Sequence, residues 1–330
     1  LSDMRSCLII QTAFTGDVIL ATAVAEKLHT AFPGMPIDFL VRKGNEGLLE
    51  HHPYIREVLV WNKREHKTKH LIATARSVRS RKYELVVNLQ RFAGSGFISA
   101  YSGARYRSGF DKNPLAITYT DRHRHVIGDG RHECERNQQL IARWTDDQPA
   151  LPRLYPNDSD FAAIRRFTER PFVCIAPGSV WFTKTWPAAQ WIKLIQLLLH
   201  REPELRVFLL GAPGAHTLAE SIRLASESGQ VHNLAGELSF LESAALMSKA
   251  GMNYVNDSAP LHLASAMNAP VTAVFCSTVP EFGFGPLSTR QRVIQTSRQL
   301  SCRPCGIHGF RACPKGHFQC ATTIDPQELL

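Results

Sequence analysis

The sequence predicts an α/β protein made of two Rossmann-like halves in succession. Three observations carry that expectation. Short apolar runs recur along the chain, segments with helical apolar spacing lie between them, and a proline-rich stretch divides two such series. With 330 residues, 44% of them hydrophobic and 20% charged, the chain is long enough for two domains of ordinary size.

The first series opens with SCLIIQTAF, an apolar run that reads as a strand and stops at the small-residue turn TGD. ILATAVAEKLHTAF follows with apolar residues at helical spacing. PIDFLV, REVLVW, YELVVNLQ and YRSGF repeat the strand theme, separated by polar or helical stretches of the length that parallel crossovers require. Between residues 147 and 160 the composition changes to DQPALPRLYPNDSD, without apolar period, and reads as a connection between domains 1–155 and 156–330. The second series runs PFVCIAPGS, WIKLIQLLLH, LRVFLLGAPG, LESAALMSKAG, MNYVND, APLHLASAMN and PVTAVFC, alternating strand and helix. TTIDPQELL at the end reads as the opening of a helix. Ligands of such folds bind at the carboxyl ends of the strands, so residues just after each strand are the candidates for function.

No run of about 18 apolar residues occurs, and LSDMRSCLIIQTAF lacks the basic and apolar segments of a secretory leader, so the expected location is cytoplasmic. The formal charge of +9 suits nucleic acid, an anionic membrane surface or phosphorylated substrates alike. Its distribution says more: WNKREHKTKH, ARSVRSRKY, ARYRSGFDK and DRHRH all fall in the first 130 residues. These clusters are either solvated helix faces or the seat of an anionic acceptor on the first half.

Three motifs could carry chemistry. In FTGDVILATAVAEKL, Gly16 permits a tight turn after Thr15, and Asp17 stands at the helix start, either as a cap or as a general base facing the cleft. The glycines of a dinucleotide fingerprint are missing. In APGSVWFTKTWP, Pro177, Gly178 and Ser179 close a strand and Lys184 precedes the helix of Trp186 and Pro187. Ser179 could donate to a phosphate oxygen and Lys184 offers a mobile point charge, against the plainer reading of an ordinary loop with a surface lysine. In YVNDSAPLHLASAMN, a strand delivers Asn256, Asp257 and Ser258 to a helix carrying His262. The amides of Ser258, Ala259 and Leu261, with the helix dipole, would seat a diphosphate; alternatively Asp257 or Ser258 only caps the helix and His262 only packs.

The order and separation of these motifs resemble the heptosyltransferases of glycosyltransferase family 9. The resemblance rests on Gly16-Asp17, on Pro177-Gly178-Ser179 with Lys184-Thr185-Trp186-Pro187, on Asn256-Asp257-Ser258 with His262, and on Phe284-Gly285-Pro286. It covers nearly the whole chain. It implies a GT-B architecture, two facing Rossmann-like domains with the acceptor on the first and the nucleotide sugar mainly on the second. It also implies an inverting, metal-independent transfer of heptose from ADP-heptose to a lipid-anchored lipopolysaccharide inner-core acceptor, at the inner face of the inner membrane. Asp17 would then be the base, and Lys184, Ser179 and the amides after Asp257 would stabilise the departing ADP. For an anionic acceptor the candidates beside Thr15 and Gly16 are Arg42, Arg91, Arg105 and Arg107, read as standing at strand ends.

The chain departs from the family pattern at Ala259, where glycine is common, and at Pro260, which has no amide to offer. The loop LLGAPGAHTLAE lacks an early acidic residue for the nucleotide ribose, since Glu220 comes late, which leaves another ADP- or NDP-sugar open as the donor. A paralogue that binds the donor without turnover is a further alternative. Four cysteines, Cys302, Cys305, Cys313 and Cys320, interleave with His308 and His317 in a C-x2-C-x7-C-x6-C spacing that could close around a structural zinc ion. A basic, zinc-carrying nucleic-acid binder is the non-enzymatic alternative. It is disfavoured because the cations are not interleaved with stacking aromatics and the cysteine spacing fits no familiar finger; no nucleic-acid partner is expected. Cys7, Cys174 and Cys276 read as small packed hydrophobes.

Overall fold

The computed structural model describes residues 4–330, and the chain divides into two compact units, one ending at Tyr155 and the other beginning at Pro156. In the first unit the order is β1 (Cys7–Ile10), α1 (Thr15–Ala31), β2 (Ile37–Arg42), β3 (Ile55–Trp61), α2 (Lys67–Ser80), β4 (Leu85–Asn88), α3 (Ala93–Tyr101), β5 (Tyr106–Phe110), β6 (Asp121–His123) and α4 (Glu133–Gln139). Its six strands lie in the order β3-β2-β1-β4-β5-β6, and every pairing is parallel.

Buried Val, Ile and Leu make the central strands β1 and β4 continuous apolar runs, as strands covered on both faces must be. One face, through Leu8, Ile10, Leu40 and Val86, packs against Ala75 and Val78 of α2 and Ile98 of α3. The other lies under α1, which is buried from Val18 to Ala25 and touches α4.

The second unit repeats the plan: α5 (Asp158–Ile164), β7 (Phe172–Ala176), α6 (Ala188–Arg201), β8 (Arg206–Leu209), α7 (His216–Ala225), β9 (Val231–Asn233), α8 (Phe240–Lys249), β10 (Asn253–Asn256), α9 (Ala259–Ala266), β11 (Val271–Phe275), β12 (Gln291–Gln295) and α10 (Gln319–Thr322). Its sheet order, β12-β11-β10-β7-β8-β9, is the same Rossmann order read from the other edge, again all parallel. Trp186 and Trp191, both fully buried and in edge-to-face contact at 4.8 Å, anchor α6 to this core. The closing TTIDPQELL forms only a short 3-10 turn, Pro326–Leu329, capped by Asp325, whose side chain accepts the Gln327 amide.

In each sheet the connection reverses direction between two central strands, β1 and β4 in the first and β7 and β10 in the second. The crevice of an open α/β sheet lies at that point, beyond the carboxyl ends of the strands. Among the described residues no helix is long and apolar enough to cross a membrane.

Candidate active site

The strands on either side of each reversal lead into Asp17, the Pro177-Gly178-Ser179 turn and Asp257. In the first unit β1 runs through Gln11 and Thr12 into α1, whose N-cap is Phe14 and whose third residue is Asp17. The Asp17 carboxylate accepts the Phe14 amide at 3.1 Å, so Asp17 does cap the helix. The side chain is partly exposed at the carboxyl end of the sheet. The turn is held from outside: Thr15 donates to Asn45 Oδ1 at 3.1 Å and Asn45 Nδ2 donates to the Ala13 carbonyl at 3.2 Å.

Around this turn cations gather. The Arg42 guanidinium, at the end of β2, lies 5.0 Å from the centre of the Phe14 ring. Burial and the Arg64 charge weaken its hold on a proton, and Asp17 partly restores it. Lys63 donates to both the carbonyl and the hydroxyl of Thr12, each at 2.8 Å, and lies 4.5 Å from the Trp61 ring. Burial, then Arg42 and Lys67, bring its ammonium down to about 8. Glu133, at the start of α4, is buried beside Arg136 at 2.9 Å. Burial raises its carboxyl, Asp17 pushes the same way, and Arg136 and Arg91 oppose. Beneath the site, Gln90 donates to Gln11 Oε1, Asn88 Oδ1 accepts the Gln90 amide at 3.1 Å, and Asn88 Nδ2 donates to Tyr119 at 2.7 Å. This buried polar chain fixes the ends of β1 and β4.

Arg42 and Arg91 therefore stand with Asp17, but Arg105 and Arg107 do not. Both lie at the amino-terminal start of β5, where Arg105 reaches toward Glu84 at 4.0 Å. Arg107 is tied to the carbonyls of Ala104 and Thr118. The reason is strand direction: Arg105 precedes YRSGF and Arg107 is its second residue, and a parallel strand presents only its far end to the crevice.

In the second unit β7 ends at Pro177-Gly178-Ser179, and a short 3-10 turn, Phe182–Lys184, leads to α6. Lys184 Nζ lies 2.7 Å from Asp257 Oδ2, at the exit of β10. Asp257 is almost wholly buried and also accepts the Thr278 hydroxyl at 2.6 Å. Asn256, fully buried, accepts the Trp186 amide at 3.0 Å and donates to the Pro177 carbonyl at 2.8 Å, so one side chain ties the exit of β7 to the lysine loop. Ser258 is the N-cap of α9. The Leu261 amide already donates to the Ser258 carbonyl at 3.0 Å, which leaves the amides of Ser258 and Ala259 as donors to an anion. Ser179 Oγ accepts the Trp181 amide at 3.4 Å, and His262 is buried one turn into α9. Glu220 is held at the end of β9 rather than that of β8. Its carboxylate is held by Arg223 at 2.7 Å and by Asn233 at 3.1 Å, and those bonds lower its carboxyl to about 2.

The cysteine-rich segment packs on this lysine loop. Thr183 donates its amide to the Phe310 carbonyl at 3.1 Å, and its hydroxyl accepts the Phe310 amide at 2.7 Å and the Ser277 hydroxyl at 3.1 Å. Gly309, at φ +76°, allows the approach: a Cβ there would stand 2.8 Å from Thr183 Oγ1 and 3.3 Å from Lys184 Cγ. Arg303 donates to the carbonyls of Cys276, Phe275 and Thr278. Among the described residues no three His, Cys, Asp or Glu side chains are arranged to hold a metal ion. The four thiols that the zinc expectation needs are not drawn into one such group: Cys305 donates to the Cys302 carbonyl at 3.0 Å and Cys302 Sγ lies 3.7 Å from His317 Nε2. Cys7, Cys134, Cys174 and Cys276 are buried, and burial pushes their thiols well up.

Sequence reasoning did not single out Lys63, Glu133, Arg136, Thr278 or Gly309. Lys63 sat within a recognised basic run, but nothing local marked it among its neighbours; the others are brought in by tertiary packing alone.

The chain is 27% identical to lipopolysaccharide heptosyltransferase 1 of Pseudomonas aeruginosa, over 90% of this chain and 85% of that one. Its fold matches the solved ADP-heptose lipopolysaccharide heptosyltransferase II of Escherichia coli with a TM-score of 0.81 at 23% identity, covering 98% of this chain and 96% of that one. It matches the E. coli heptosyltransferase WaaC solved with ADP with a TM-score of 0.74 at 19% identity, covering 98% of each chain. Residues 71–308 match the family model described as glycosyltransferase family 9 (heptosyltransferase). With two Rossmann sheets and a carboxylate and an ion-paired lysine at their reversals, the chain belongs to glycosyltransferase family 9, an enzyme family of the GT-B fold.

Proposed function

We propose that this enzyme transfers heptose from ADP-heptose to an anionic, lipid-anchored inner-core acceptor, with inversion at the anomeric carbon and without a catalytic metal. One observation carries the reading: each sheet reversal holds one half of the required chemistry, Asp17 among cations in the first unit and Lys184 with the α9 amides in the second. The relatives support the donor, since one solved neighbour is described as an ADP-heptose enzyme and another was solved with ADP.

In the step, an acceptor hydroxyl oxygen attacks the anomeric carbon and the bond from that carbon to the β-phosphate oxygen breaks. The hydroxyl proton passes to Asp17 and the electron pair leaves with ADP. Lys184, the Ser179 hydroxyl, and the Ser258 and Ala259 amides, backed by the α9 dipole, meet the charge that develops on the phosphate. Gly178 leaves room for the backbone to approach the diphosphate; Pro177 and Asp257 frame the seat, with His262 buried one turn into α9. Thr15, Gly16, Arg42 and Arg91 border the acceptor hydroxyl, and Lys63 extends the cationic rim for acceptor phosphates.

A different nucleotide sugar is the second reading. It is favoured by Glu220, whose engagement with Arg223 and Asn233 keeps it from a ribose at the end of β8. Titration with ADP, GDP, UDP and CDP by calorimetry, with and without Mg²⁺, separates the two. Selective, metal-independent ADP binding followed by turnover of ADP-heptose supports the first, tighter binding of another nucleotide moves the donor, and no nucleotide binding sinks both.

A further inference from the structure

The charge of this chain is concentrated in one stretch. Residues 66–110 hold nine Lys or Arg and a single acid, Glu84, against a net +9 for all 330 residues. That stretch builds α2 and α3, which pack side by side over the same face of the first sheet through Ala75, Val78 and Ile98. On its solvent side α2 presents Lys69, Ile72 and Arg76. Helix α3, AGSGFISAY, contains no charged residue, and its outer stripe is Ala93, Phe97 and Tyr101, preceded by Phe92 at the N-cap.

An outward helix face is ordinarily polar. Here Phe92 is 67% exposed, and Phe97 and Tyr101 are stacked on each other in solvent with centroids 5.8 Å apart. Arg79 of α2 joins the two helices, with its guanidinium 4.9 Å from the Tyr101 ring and a bond to the Tyr101 carbonyl at 2.9 Å. Exposed aromatics flanked by cations mark a surface for an apolar, anionic partner. A second copy would bring like charge against like charge, and a nucleic-acid backbone would leave the aromatic stripe uncovered.

We propose that the α2–α3 face docks on an anionic phospholipid surface, with Ile72, Phe92, Phe97 and Tyr101 seated at headgroup depth and Lys69, Arg76 and Arg79 meeting lipid phosphates. Amphipathic rings settle at that depth, and each cation near an anionic leaflet adds to the attraction. The placement deepens the reading of a lipid-anchored acceptor. Both helices begin at the carboxyl end of the sheet, where Asp17 stands, so the docked face leads from the membrane to the reacting end of the first unit.

The full chain is sedimented with vesicles of phosphatidylcholine alone and of phosphatidylcholine mixed with phosphatidylglycerol, at low salt and at about 0.5 M salt. Two variants are compared with it: Phe97→Ser with Tyr101→Ser, and Lys69→Glu with Arg76→Glu. The expected result is binding only to the anionic vesicles, lost at high salt and weakened about tenfold or more in each variant, with ADP affinity and thermal midpoint unchanged. Equal binding to neutral and anionic vesicles, or full binding by a folded charge-reversed variant, overturns the proposal. So does self-association of the free chain, abolished by the aromatic variant, in the absence of vesicle binding; that outcome gives the face to a second copy. The two variants are independent, so misfolding of one leaves the other to decide. The vesicles hold neither glycan nor nucleotide, so failure here is distinct from failure of the transferase reading.

Discussion

The ammonium of Lys184 stands 2.7 Å from Asp257 Oδ2, and the carboxylate it meets is buried. A buried carboxylate is costly unless it is paired, so the lysine neutralises Asp257; in the proposed mechanism it would also meet the charge of the donor.

Lys184→Met therefore has two separable effects. It strands the Asp257 charge, at a cost of about 3 kcal/mol in urea unfolding, and it removes donor binding. Adding Asp257→Asn to the same chain should recover most of the stability and none of the ADP affinity. Recovery of both in calorimetry would show that the lysine acts on the fold alone.

Asp17→Asn separates a cap from a base. An asparagine oxygen still accepts the Phe14 amide, so stability should change by less than about 1 kcal/mol. Turnover should fall by about 10²-fold or more, with ADP affinity intact. A stability loss with proportionate activity loss would make Asp17 a helix cap only.

Lys63 sets a pH dependence. Its folded ammonium lies at about 8, below the ordinary 10.5, so the unfolded chain binds more protons between those values. Stability gained at this site accordingly rises with pH from about 8 toward 10.5, and Lys63→Met should flatten that part of the unfolding profile. Affinity for a phosphorylated acceptor should fall over the same rise, as the ammonium is lost.

Gly309→Ala tests the strap over the lysine loop. The new methyl meets Thr183 Oγ1 and Lys184 Cγ at a backbone φ that side chains rarely adopt. Donor affinity should drop several-fold although residue 309 touches no proposed ligand. An unchanged ADP isotherm in a folded variant would separate the cysteine-rich segment from the site.

Local pattern carried the architecture. The long apolar strands and helical periods revealed both series, and the residues after β1, β7 and β10 marked the reversals before any pairing was known. The edge strands β6, β9 and β12 escaped because they are short or polar, DRH, VHN and QRVIQ, and owe their form to a neighbour. Arg105 and Arg107 were placed at the wrong end: they precede and open β5, and the start of a strand in an all-parallel sheet lies away from the crevice. Lys63, Glu133 and Thr278 had no local signal, since their environments are made by segments far away in sequence.

The strand order also dictates a history for the chain. Neither central strand can be flanked until its partner emerges: Cys7 pairs with Leu85, and Cys174 with Asn253. The first sheet is complete at His123, well before Phe172 begins the second. During synthesis the half bearing Asp17 can close its core on the ribosome while the half bearing Lys184 is still unmade, and the waiting hydrophobic strands of each are covered in turn rather than together.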